Sequence, residues 1–139
     1  MLYFPPKQGF IVRIFKNKAF ARFAKKSEIS DAALCKTVRD AEQGLIDADL
    51  GGGVIKQRVA RAGQGKSGSY RTMILFKAGT RAFFVHGFAK NEKDNIEPED
   101  LIAFRKLAAR MLGCNDTELT QAINKNILTE VICHDETLP

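Results

Sequence analysis

Hydrophobic positions change their period several times along the chain, and each change predicts an element. Residues 10–15 (FIVRIF) are a short apolar run with β-branched members, which predicts a first strand. From Lys18 the period lengthens. Phe20 and Phe23 stand three apart while Lys18, Arg22, Lys25 and Lys26 surround them, so a short helix buries one face and keeps the other wet, with Asn17 as its cap. Ser30 caps a second helix. Its Leu34, Val38, Ala41 and Leu45 fall on one stripe, and it should end near Gly44 or the glycine triplet 51–53.

Strand signals dominate residues 54–90 in three runs, VIKQRVA, YRTMILFK and RAFFVHGFAK. The short connection Lys77-Ala78-Gly79-Thr80 makes the second and third runs an antiparallel hairpin, and the longer AGQGKSGS joins the first run to the second. Pro98 after Glu97 opens a helix that buries Leu101, Phe104, Ala108 and Met111, or Leu107 and Leu112. Asn115 and Glu118 have capping-box spacing for a last helix, and residues 127–132 add an edge strand or pack down. The order is β-α-α-β-β-β-α-α. It predicts an α+β single domain over 1–139, a small antiparallel sheet with its helices packed on one face and the other left for function, and 114–139 as a C-terminal helical extension.

Composition fits one core: 139 residues, 45% hydrophobic and 27% charged. The net charge of +6, from 22 Lys+Arg against 16 Asp+Glu, favours an anionic partner. Cys35, Cys114 and Cys133 are odd in number and widely spaced, with only two histidines to complete a metal site, which reads as reduced thiols, packing roles for Cys35 and Cys114, and no metal. The N-terminal MLYFPPKQGF lacks a basic region followed by an apolar one, and no apolar stretch approaches the roughly 18 residues that span a bilayer. The expectation is a cytoplasmic protein without a membrane partner.

Charge is least evenly spread between Ile55 and Arg71. Lys56, Arg58, Arg61, Lys66 and Arg71 lie there with no acidic residue among them. The piece Ala60-Arg61-Ala62-Gly63-Gln64-Gly65-Lys66-Ser67 approaches a phosphate-binding loop, but Ala60 stands where the first glycine belongs. The following residues also read as a strand. Such a loop must lead into a helix whose N–H groups hold the phosphates, so no nucleotide cofactor is expected and Lys66 sits at the tip of a long hairpin loop.

Strand alternation sends Lys56 and Arg58 to one face, and Arg71 and Lys90 bring further cations to the same face and its rim. Clustered cations lower one another's proton affinity. A lysine so placed, Lys56, is a candidate general base, while arginines only stabilise charge. That set suits RNA cleavage by the ribose 2′-OH attacking its own 3′-phosphate, and no carboxylate cluster points to a two-metal nuclease. His86 and Phe88 share a strand face. Each reads first as a packed residue, the histidine with a catalytic acid role and the phenylalanine with base stacking as alternatives. Tyr70 reads as a packing residue.

These residues resemble a family. Lys56-Gln57-Arg58-Val59-Ala60, Gly63-Gln64-Gly65-Lys66-Ser67-Gly68, Tyr70-Arg71 and Lys90-Asn91-Glu92 look like the RelE/HigB superfamily of type II toxin-antitoxin toxins, its HigB-like branch above all, across about residues 10–112. The resemblance implies a RelE-like compact fold. It also implies ribosome-dependent, metal-free mRNA endoribonuclease activity that inhibits translation, with mRNA on the ribosome and ribosomal RNA as contacts, and a cognate helix-turn-helix antitoxin as partner. The residues that match are Lys56, Arg58, Arg71 and Lys90, with His86 as a further catalytic candidate and Arg61, Lys66, Phe88 and Asn91 as RNA contacts. Two departures stand out: Asn91 where the RelE type has arginine, and an acid near Glu97 where it has tyrosine. Three readings follow: an mRNA interferase with its chemistry redistributed, a noncatalytic RNA- or ribosome-binding protein on the same fold, and a DNA- or gyrase-directed relative.

Overall fold

The computed structural model describes residues 12–61, 65–89 and 96–134, with backbone alone at residues 60, 61 and 65–68. Along the chain run β1 (Arg13–Asn17), α1 (Lys18–Lys26), α2 (Asp31–Glu42), β2 (Ala48–Asp49), β3 (Val54–Arg61), β4 (Gly65–Lys77), β5 (Arg81–Ala89), α3 (Pro98–Met111), α4 (Asp116–Asn124) and β6 (Leu128–Val131). The strands form one sheet in the order β2-β3-β4-β5-β1-β6. Its pairings are antiparallel except for β1 beside β5. This is the expected α+β order with β2 and β6 added at the two edges.

Helix starts follow local chemistry. The Asn17 side chain accepts from Phe20 N at 2.8 Å, Ser30 Oγ accepts from Ala33 N, and Asn115 with Glu118 closes a reciprocal capping box. Pro98 occupies the first turn of α3, where its missing N–H is not needed. Helix α2 stops at Glu42. Gly44 then takes φ +86°, which turns the chain so that Leu45, expected on the buried stripe, is 62% exposed.

The helices divide between the faces, in contrast to the expected packing on one face. Ile14, Ile55, Ile74 and Phe84 pack with Phe20 and Ala24 of α1 and Leu34 and Val38 of α2. Their strand neighbours Phe15, Val54, Met73, Leu75, Phe83 and Val85 pack on the other side with Ala108 of α3 and Leu119 of α4. Alternation sends adjacent residues to opposite faces, so the continuous runs MIL and FFV bury both. Phe15, Phe83 and Phe84 are fully buried, and truncating one to alanine would cost about 3–5 kcal/mol. On the α1 side, Phe23 lies so close over Gly87 that no Cβ fits there, which is why β5 carries a glycine between His86 and Phe88.

Residues after Gly113 supply α4 and then β6, which pairs with β1 through Ile14↔Val131 to Asn17↔Leu128. Just past β6, Cys133 forms a disulfide with Cys35 of α2, Cα–Cα 5.9 Å, so these two thiols are not reduced as the sequence reading expected. Their separation of 98 residues hides a proximity created only when β6 joins the sheet edge under α2. Cys114 is the free cysteine among the described residues. None of the described helices is long and apolar enough to cross a membrane.

Candidate functional site

Register assembles the site. Lys56 pairs with Met73, and Met73 with His86; one row outward, Arg58 pairs with Arg71, and Arg71 with Phe88. Cross-strand partners point to the same face, and Met73 belongs to the core under α3 and α4, so all five candidates share that face. A bulge in β5 between Phe84 and His86 brings His86 opposite Met73. Met73 is fully buried and forms the floor between Lys56 and His86, which stand two strand spacings apart, ~10 Å.

Helix α3 closes the inner end of this face. The Phe104 ring meets His86 at 6.1 Å between centroids, and the Phe88 ring meets it at 5.7 Å. His86 still reaches solvent, yet the burial it does have lowers its pKa, and the Asp100 carboxylate opposes that only in part. The imidazole is therefore mainly neutral at pH 7, poised to accept a proton rather than to donate one. Phe88 is 6% exposed. It supports His86 as a packed ring and offers no open face for a base, which agrees with its first reading as a packed residue and not with the alternative of base stacking.

The cations differ in their engagement. Arg58 donates through its backbone N–H to Asp47 Oδ2 at 2.7 Å, and its Nη2 lies 3.4 Å from Asp47 Oδ1. Arg71 is half-buried and donates through Nη1 to Ser69 Oγ at 2.9 Å. Lys56 is half-buried and has no ion pair among the described residues. Arg58 and Arg71 are directly opposite, an arrangement of like charges that costs stability until an anion arrives. Two donating guanidinium groups and an ammonium over an apolar floor suit the non-bridging oxygens of a phosphodiester.

Four other candidates are placed less fully. Lys90 and Asn91 lie outside the described residues, and Arg61 and Lys66 are described through their backbone alone. Gly65 already begins β4, so the long glycine loop shrinks and Lys66 belongs to a strand instead of a loop tip. Tyr70 packs edge-on against Phe23 on the α1 side, as a packing residue should. Sequence reasoning missed Asp47, Asp100, Phe104 and Ser69. The available signal was the acidic IDAD stretch before the glycine triplet, of which Ala48–Asp49 form the edge strand β2.

The family model for the RelE toxin of the RelE / RelB toxin-antitoxin system matches residues 12–131. No curated protein matches the chain. The matched span runs from the entry to β1 through the end of β6 and takes in both helical layers and the cationic rows; the chain belongs to the RelE family of toxin-antitoxin toxins.

Proposed function

We propose that this toxin is a ribosome-dependent mRNA endoribonuclease whose cleavage chemistry is supplied by side chains on the outer end of β3, β4 and β5. The observation that carries this reading is the pair of cross-strand rows, Lys56–Met73–His86 and Arg58–Arg71–Phe88, with three cations and one neutral imidazole on one face. The 2′-OH attacks the adjacent phosphorus, forming a bond to it as the bond to the 5′ oxygen breaks. His86 takes the 2′-OH proton, which the lowered pKa favours at neutral pH. Lys56 stands across the Met73 floor and, as the ammonium, gives a proton to the departing 5′ oxygen. Arg58 and Arg71 stabilise the added charge on the phosphorane-like transition state. Products are a 2′,3′-cyclic phosphate and a 5′-hydroxyl. Relative to the sequence reading, Lys56 and His86 exchange roles as base and acid.

Lys90 remains a proposed catalytic cation, and Asn91, Arg61 and Lys66 remain proposed contacts to mRNA or ribosomal RNA, on the strength of the sequence. A cognate helix-turn-helix antitoxin is the proposed inhibitor. Mapping RNA 5′ ends after induced expression tests the activity: new ends within coding sequences are expected for the wild type and not for Arg71→Ala or His86→Ala. Ribosome association without new 5′ ends would instead support the noncatalytic binder.

A further inference from the structure

We infer that Asp47 is a positioning residue that holds Arg58 aside until RNA binds and then yields it to an RNA phosphate. The inference rests on the RNA-directed reading of the cationic face. The short strand β2 pairs with Ile55 and Lys56, and among the described residues no strand covers the β3 edge from Gln57 outward. Asp47, the residue before β2, fills that gap by accepting the Arg58 backbone N–H at 2.7 Å. The backbone that carries this carboxylate is itself fixed. Gln57, 3% exposed on the α2 side of the sheet, accepts from Asp47 N at 2.6 Å and donates to Leu45 O at 3.0 Å. Adjacent residues of β3 thus grip the linker from opposite faces.

This anchoring separates the two things Asp47 does. Its backbone-directed bond is structural and short. Its contact with the guanidinium is longer, at 3.4 Å, and both side chains are about two-fifths exposed, at 38% and 43%, so it is a weak surface pair that a phosphate can displace. Before RNA binds, the pair draws one of two facing arginines toward the strand edge and offsets their repulsion. When RNA binds, the same carboxylate competes with the phosphate for Arg58. Asp47 therefore weakens RNA binding in the ground state while holding Arg58 in place beforehand.

The test is a double-mutant cycle on binding to ribosomes programmed with an mRNA carrying a 2′-O-methyl group at the cleavage position, which blocks attack and isolates affinity. Asp47→Asn keeps an acceptor for the Arg58 N–H, so Tm should hold. Its Kd should fall about two- to fivefold, with a salt dependence steeper by about 0.7 in log-log slope as Arg58 gains a full phosphate contact. Asp47→Glu, which keeps the charge, should stay near the wild type. In an Arg58→Ala background, Asp47→Asn should change Kd much less. An unchanged or raised Kd for Asp47→Asn, or an equal gain with Arg58 absent, overturns the inference while leaving the RNA reading intact. Absence of wild-type binding overturns both.

Discussion

The same sheet face carries two cross-strand arginine pairs, and their surroundings are opposite. Arg13 and Arg81 face each other at the start of β1 and β5, and Arg58 and Arg71 on β3 and β4. The first pair is closed. Glu130 takes two hydrogen bonds from Arg13 at 2.8 and 2.9 Å, and Asp116 lies 3.6 Å from both arginines. Arg81 also donates to the carbonyls of Met111 and Cys114, so it satisfies the C-terminal end of α3, and Arg13 lies over the Phe15 ring. Among the described residues the second pair has one carboxylate, one hydroxyl and the neighbouring Lys56. Where acids match the arginines the pair staples α3 and α4 to the sheet. Where they do not, positive charge is left over for an anion.

Breaking the open pair should give the largest effect. Arg58→Ala or Arg71→Ala should lower the cleavage rate on programmed ribosomes by about 10²–10³, the loss expected when one stabiliser of transition-state charge is removed, with little change in Tm. Breaking the closed pair should do the reverse. Arg81→Ala removes a side chain only 11% exposed and leaves carbonyls unpaired. It should cost about 2 kcal/mol and several degrees of Tm, while cleavage per folded molecule is retained. Glu130→Gln should cost about 1 kcal/mol by denaturant titration, and the Arg13 it releases should not add cleavage activity.

The smallest predicted effect concerns pH. His86 has a folded pKa below its unfolded value of about 6.5, so between the two the unfolded chain binds more protons. Stability from the neutral ring is present above pH 6.5 and is lost as pH falls through the folded pKa. His86→Gln should flatten that slope in Tm against pH. In the wild type, cleavage should also decline with falling pH over this window, since a protonated ring cannot accept the 2′-OH proton.

Much of the fold was legible because its signals are local. Asn17, Ser30 and the Asn115–Glu118 box mark helix starts through bonds that span only three residues. The division of helices between two faces was harder to read. It lies in the apolar runs of β4 and β5, whose second buried face only becomes explicable once α3 and α4 have somewhere to pack. Lys56, Arg58 and Arg71 were legible as one face because strand alternation and hairpin pairing determine it. Asp47 and Phe104 were not, since one comes from a linker and the other from a helix that reaches the site through tertiary packing. Cys35 and Cys133 met for the same reason, across most of the chain.

The contrast between the two arginine pairs is the central claim, and parallel cleavage assays test it most directly. Purified wild type, Arg71→Ala and Arg81→Ala would be compared on programmed ribosomes at a temperature where circular dichroism shows all three folded. The account predicts that Arg71→Ala loses cleavage by about 10²–10³ while Arg81→Ala retains the wild-type rate. Equal rates for Arg71→Ala and wild type, or loss of cleavage confined to folded Arg81→Ala, would contradict it.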